Sequence, residues 1–258
     1  MIELQPCELP APDRWFPAGV PGPAAIGEHA LRTGNGRWWA DRAVRPRTLA
    51  VSCAGHVLLR GNPNALATSD LVPLAHSYID APDRFLPLLG AAFTHLTPWE
   101  RMVWTLQAPP TPSRLPRGVS VRRIEPADTD RMQALASDSH WITASWGSPL
   151  GLAASGHAWI ATDRTGTALA IACTYFRGSC YEDVAVLTRP DNRRHRLALA
   201  CVTALCADIT ARGHTPSWNC STLNRASRLL AWTAGFRLVR EYVHYAVGSP
   251  ARQELLTA

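Results

Sequence analysis

The chain has no lysine: all 26 of its basic residues are arginine, set against 20 acidic residues for a formal net charge of +6. Arginine forks onto phosphate and carboxylate and does not titrate near neutrality, so partners carrying those groups are favoured. No segment approaches the ~18 uninterrupted apolar residues of a membrane span, and the opening MIELQPCELPAPDRWF lacks the apolar core of a signal peptide. The seven cysteines include no CxxC pair, and their odd number and irregular spacing argue against a disulfide framework and a zinc site. A reducing, cytoplasmic location without metal or membrane is the expectation. GxSxG, HExxH, a Walker loop and a dinucleotide fingerprint are also missing, which removes support from hydrolase and nucleotide-cofactor readings.

What is present is an ordinary globular composition, 47% hydrophobic and 18% charged over 258 residues, enough for one large domain or two modest ones. The stretch QAPPTPSRLPRG, residues 107–118, carries four prolines and reads as an extended connector. It divides a smaller N-terminal α+β domain, 1–110, from a second domain, 116–248. In the first, RPRTLAVSCAGHVLLRGNP suits two strands around Ala54-Gly55, PLAHSYIDAPDRFLPLLGAAF suits helical stretches interrupted near 80–82, and WERMVWTLQ suits another strand. The pair Trp38-Trp39 suits core or interface packing.

After the connector the order becomes regular. VSVRRIEP reads as a strand, ADTDRMQALAS as a helix, and HAWIATDRTGTALAIACTYF as two strands about a turn at 164–166. YEDVAVLT is a strand, RRHRLALACVTALCADITARG a helix of about five turns ending at Gly213, and TPSWNCS a strand. STLNRASRLLAWTAGF is a helix closed by Gly235, and REYVHYAV a last strand. The fold class is α/β (α+β): a mixed, mostly antiparallel sheet with helices returning between strands.

This order, with two local motifs, resembles the GNAT (Gcn5-related N-acyltransferase) superfamily over residues 116–248. The family's loop Arg/Gln-x-x-Gly-x-Gly/Ala, which opens a long helix after a strand, falls on Arg193, Arg194, His195, Arg196, Leu197 and Ala198. A second motif, Asn-x-x-Ala followed by Gly-Phe, falls on Asn224, Ser227, Gly235 and Phe236. By the same resemblance, the first 110 residues can be a degenerate half of this fold.

The resemblance implies an N-acyltransferase that moves an acyl group from a pantetheine thioester to the amine of a small-molecule acceptor. Main-chain groups of Val184, Val186, Leu187 and Thr188 would pair with the pantetheine arm, the loop amides would face phosphate at a helix N-terminus, and Asn224 would bind the donor arm. Glu182, eleven residues before Arg193, takes the place of the family's catalytic glutamate, and its neighbour Asp183 is expected to face the other side of the sheet. The usual general-acid tyrosine position, four residues before Gly235, is Ala231. Tyr242 is the leading substitute, with Tyr245 and the Cys220 thiol as others. Ser139-His140-Trp141 lies near the family's acceptor pocket, built from about 128 to 156, where no further pattern is readable.

The loop departs from the family at Arg196, where a glycine lets coenzyme A approach the backbone. Either Arg196 turns outward and acyl-coenzyme A still binds, or the donor is the phosphopantetheine of an acidic acyl carrier protein docking on Arg189, Arg193, Arg194 and Arg196. Aminoacyl-tRNA is a third donor, disfavoured by the lack of aromatic residues in the loop. From another class, a non-catalytic binding module retains the fold as a docking surface.

Overall fold

A computed structural model describes residues 1–10, 14–108, 114–135 and 139–248. Parts of the proline-rich connector and of the helix expected over 127–137 fall outside them. The elements of the first half are β1 (Ile2–Leu4), α1 (Ala25–Thr33), β2 (Arg37–Ala40), β3 (Thr48–Cys53), β4 (His56–Gly61), β5 (Tyr78–Asp80), α2 (Leu86–Ala92) and β6 (Leu96–Leu106). The second half contains β7 (Ser120–Arg123), α3 (Thr129–Gln133), α4 (Trp141–Ala144), α5 (Pro149–Ser155), β8 (Ala158–Thr162), β9 (Ala168–Arg177) and β10 (Tyr181–Thr188). It ends with α6 (Leu197–Ala211), β11 (Thr215–Ser221), α7 (Arg225–Thr233) and β12 (Phe236–Val247).

Local chemistry explains most of these boundaries. The hairpin β3–β4 turns on Ala54 and Gly55, at φ 51° and 78°, as a tight two-residue turn between twisted strands requires. Asn224 caps α7 by accepting the N–H of Ser227 on Oδ1 at 3.0 Å. Gly235, at φ 94°, ends that helix where any Cβ would collide with the Ala108 carbonyl. One segment differs from the sequence expectation: within PLAHSYIDAPDRF, residues 78–80 form β5 and not a helix, because Ile79 is completely buried between β4 and β12 and tertiary pairing overrides local propensity.

The twelve strands of the described residues belong to one sheet, in the order β1-β2-β3-β4-β5-β12-β6-β11-β10-β9-β8-β7. From the two edges inward, β1 to β5 and β7 to β11 run in matching order, and the parallel pairs among them are β4 with β5 and β10 with β11. The last strand of each half is exchanged: β6 pairs with β11, while β12 pairs with β5 and, along its length, with β6.

Helices α6 and α7 cover one face over a core that includes Trp104, Val184, Leu205, Trp218 and Phe236. Helix α6 buries residues around most of its circumference, Leu197, Leu199, Cys201, Val202, Leu205, Cys206 and Ile209, as its unbroken apolar run requires. On the other face α1 touches β3 and β4 and also β9 and β10. Those strands stand far apart in a ladder with a spacing of about 4.8 Å, so the sheet curls and encloses α1 in its concave side.

Candidate active site

Strands β10 and β11 begin side by side and then part. Their parallel ladder runs from Tyr181–Thr215 to Val184–Trp218 and stops. Beyond it, Ala185–Thr188 pair only with β9, and Asn219–Ser221 only with β6. Close to the parting point the ladder with β9 shifts register: Asp183 pairs with Phe176 and Val184 with Thr174, so Tyr175 is an extra residue on β9. The opening is the middle of a cavity lined on one arm by Val184 to Thr188 and on the other by Trp218 to Ser221. Because adjacent residues of β11 point to opposite faces, lining by all four means that the cavity passes through the sheet.

At the helical end the cavity meets Arg193, Ala198, Asn224, Ser227 and Leu230. The loop there has Arg194 at φ 70° and Arg196 at φ 60°, left-handed values that glycine adopts without strain and arginine does not. Arg193, Arg194, His195 and Arg196 are all exposed. Among the described residues their side chains, and that of Arg189, form no hydrogen bond or ion pair, and the N–H groups of Arg194, His195 and Arg196 have no backbone acceptor. Leu197 turns into the core at 2% exposure. The loop therefore keeps the backbone path of a glycine loop and points its arginines outward, leaving free amides at the start of α6, where the helix dipole favours an anion.

On the concave side a buried polar chain forms the floor. Asn219 donates from Nδ2 to Asp183 Oδ1 at 2.9 Å, and the Ser217 hydroxyl lies 3.4 Å from the same oxygen. The Tyr242 hydroxyl accepts from Arg101 Nε at 3.1 Å and donates to Asn219 Oδ1 at 3.3 Å. Burial pushes the Tyr242 phenol well above its ordinary range, against the opposing pull of Arg101, so it remains a donor. Asp183, Asn219 and Arg101 line the cavity, whereas Tyr242 stands behind them.

Glu182 lies elsewhere. Completely buried and outside the cavity lining, it accepts from Thr174 Oγ1 at 2.6 Å and from Arg212 Nη2 at 2.7 Å on one oxygen, and faces His214 Nδ1 at 2.8 Å on the other. Burial opposes its ionisation, but the Arg212 fork and the Thr174 hydroxyl outweigh it and hold the carboxyl below the usual range. The expected opposition of Glu182 and Asp183 across the strand is present, and of the two only Asp183 reaches the cavity. Alternation relates the two side chains to each other without saying which face carries the opening. Of the other candidates, Val184, Val186, Leu187, Thr188, Arg193, Ala198 and Asn224 line the cavity, and Cys220 lines it with a thiol pushed up by burial.

Sequence reasoning missed the contributions of the first half: Pro23 and Ile26 before and on α1, His56 on β4 and Arg101 on β6 all reach this cavity. His244, Trp141, Tyr175 and Phe176 complete its concave end. No local signal marks His56 or Arg101, whose proximity depends on strand exchange between the halves. Among the described residues, no group of three or more His, Cys, Asp or Glu side chains is placed to hold a metal, and no helix is long and apolar enough to cross a membrane.

Residues 106–245 match the family model of the GNAT acetyltransferases. An uncharacterized N-acetyltransferase in the mutA 5′ region of Streptomyces virginiae is 61% identical over 214 residues, covering 83% of this chain and 90% of that protein. Among solved structures, a GCN5-related N-acetyltransferase-like protein from Streptococcus suis superposes with a TM-score of 0.69 at 17% identity, covering 88% of this chain and 94% of the other. A tandem GNAT protein from the clavulanic acid biosynthesis pathway superposes with a TM-score of 0.58 at 11% identity, covering 89% of each chain; at these identities the likeness is one of fold.

Proposed function

The chain belongs to the GNAT acetyltransferase family and is an N-acetyltransferase of that family; from this premise we propose that it moves an acyl group from acyl-coenzyme A to the amine of a small molecule. The observation that carries this reading is the through-sheet opening between β10 and β11, lined from Arg193 at the helical end to His244 at the other. Main-chain groups of Val184 to Thr188 that face the opening, beyond the end of the ladder with β11, suit the amides of a pantetheine arm, and Asn224 lines the same cavity. The free amides of residues 194–196 and the first turn of α6 suit a diphosphate, with Arg193 adding a charge-assisted contact. The left-handed backbone at Arg194 and Arg196 supports coenzyme A over a carrier protein or tRNA, since an arginine patch for docking has no need of a cradle with open amides.

In this reading Asp183 takes the proton from the acceptor ammonium, directly or through water, and the Tyr242–Asn219 pair orients its carboxylate. Main-chain N–H groups of β10 beyond Val184, no longer paired across to β11, suit the oxygen on which charge develops. As the new C–N bond forms, the C–S bond breaks and the thiolate leaves; a thiol of pKa about 8.5 needs little help from an acid, which accords with Ala231 in place of a tyrosine. The matching strand orders further support residues 1–110 as a degenerate half of the same fold as 116–248. Its parallel pair β4–β5 contributes Val57, Leu59 and Ile79 to a core shared with Leu71 and Leu74.

The test is calorimetric titration with acetyl-coenzyme A, followed by single-turnover transfer in Asp183→Asn and Glu182→Gln. Absence of acetyl-coenzyme A binding sinks the donor assignment. Wild-type rates across pH in Asp183→Asn sink the role given to that carboxylate.

A further inference from the structure

Polar atoms at the concave end of the cavity are left without protein partners. His244 is 1% exposed and lines the cavity, and neither of its ring nitrogens has a hydrogen-bond partner among the described residues. The indole N–H of Trp141, a residue 8% exposed that lines the same cavity, likewise has no acceptor among them. Other indoles divide: Trp218 donates to Ser227 Oγ at 3.0 Å and Trp146 to the Thr174 carbonyl at 2.8 Å, whereas Trp99, Trp104 and Trp159 also have no acceptor among the described residues but lie outside the cavity lining, which Trp141 and His244 join. Buried polar groups in folded proteins are ordinarily satisfied, and at a cavity wall the missing partner is supplied by what the cavity holds.

A continuous run of rings connects the two groups. Trp141 lies 6.0 Å from Tyr175, Tyr175 lies 6.4 Å from His56, and His56 lies 5.4 Å from His244, centroid to centroid. Phe176 and Ile26 extend this wall with apolar surface. Burial disfavours a charge on His244, as do His56 and Arg101 beside it, so its imidazole is neutral and offers one donor and one acceptor, whereas the indole offers a donor only. A single hydroxyl lying between the two groups would serve both, accepting from the indole and donating to the imidazole. Among the described residues Asp183 is the one acidic side chain of the lining, and Asn219 and Ser217 already engage it. The pocket therefore provides for the single amine that reacts and has no second carboxylate for another ammonium.

We propose, resting on acyl transfer at this cavity, that His244 and Trp141 are specificity-determining residues which bind a hydroxyl of the acceptor, and that the acceptor is a monoamine on an aromatic or compact apolar body. The first half of the chain then contributes directly to specificity, because through Ile26 and His56 it walls the acceptor pocket served by the donor opening of the second half.

The experiment compares tyramine, phenethylamine, spermidine and Nα-acetyl-lysine as acceptors with acetyl-coenzyme A, following thiol release, in wild type, His244→Phe and Trp141→Phe. Tyramine is expected to exceed phenethylamine in kcat/KM by at least about tenfold, because a site built to pair with a hydroxyl discriminates against its absence; it should also exceed the two amines with a second polar or charged arm. Each ring-preserving variant should bring the tyramine-to-phenethylamine ratio close to one, a change that general destabilisation would not produce. Should one variant fail to fold, the other carries the comparison. Equal use of tyramine and phenethylamine by wild type, preference for spermidine or acetyl-lysine, or an unchanged ratio in the variants overturns the proposal. Calorimetry with acetyl-coenzyme A on the same samples reports the donor reading alone: binding with no turnover of any of the four amines overturns only the acceptor assignment, and loss of binding removes both.

Discussion

Glu182 and Asp183 are chain neighbours that serve opposite sides of the sheet: Glu182 accepts Arg212 Nη2 at 2.7 Å in a closed ion cluster, and Asp183 accepts Asn219 Nδ2 at 2.9 Å at the cavity wall. Each carboxylate is held by its own set of donors, so substitutions at the two should separate stability from turnover. Glu182→Gln removes one of the two carboxylates that Arg212 engages, Asp208 Oδ2 remaining at 2.6 Å, and is expected to cost about 2 kcal/mol, seen as a lowered denaturant midpoint. Its kcat below the unfolding transition should change little. Asp183→Asn is expected to keep most of the stability and lose about a hundredfold in kcat. The reverse pattern would return the base to Glu182.

The loop arginines permit a second test. Arg196 sits at φ 60°, so Arg196→Gly should preserve the cradle and leave acetyl-coenzyme A affinity within about threefold. Arg196→Val, whose β-branch resists positive φ, should weaken affinity markedly. Arg193→Ala removes a cation at the cavity mouth and should weaken affinity with its backbone unchanged. Calorimetry at fixed salt checks all three.

Stability should fall in acid in two stages. Burial lowers the His157 pKa from 6.5 to about 4, with Arg212 and Arg177 working against the attraction of Glu182. Between those values the unfolded chain binds more protons, so stability is complete above about pH 6.5 and declines as pH falls toward 4. Burial opposes ionisation of Glu182, but Arg212 and Thr174 hold its folded pKa below 4.5; its contribution is present above that value and is lost as pH falls through the depressed one. Thermal melts from pH 8 to 3 should show a plateau and then both declines, and His157→Phe should flatten the first.

Thiol chemistry offers a further readout. Cys7 and Cys180 are exposed and the other five cysteines are buried, with burial pushing Cys53, Cys201 and Cys206 up to about 12. A chromogenic disulfide at neutral pH should titrate two thiols rapidly in the native protein and all seven after unfolding. Rapid reaction of more than two would contradict the packing of α6 against the sheet.

Strand exchange predicts that the second half does not fold alone. A chain beginning at residue 116 lacks β6, the strand that separates β11 from β12, and would expose unpaired edges on both. It should show weak near-ultraviolet circular dichroism and poor amide dispersion, and co-expression with residues 1–110 should restore both signals.

Element type was written in local sequence wherever the signal was local. YEDVAVLT and TPSWNCS are strands with the boundaries that their patterns imply, Asn224 caps its helix, and Gly235 ends it, because periodicity, capping and positive φ act over a few residues. The placement of residues 193–196 as a turn opening α6 was equally legible, since its position between a strand and a helix depends on chain order. The tertiary structure alone decided that Asp183 and not Glu182 reaches the cavity, that β6 enters the middle of the sheet, and that His56 and Trp141 share a pocket with His244. Alternation along a strand relates its residues to each other without naming the face that will be covered, and contacts between residues 56, 141 and 244 are set by strand pairing and packing across the whole chain, where no short window of sequence carries the information.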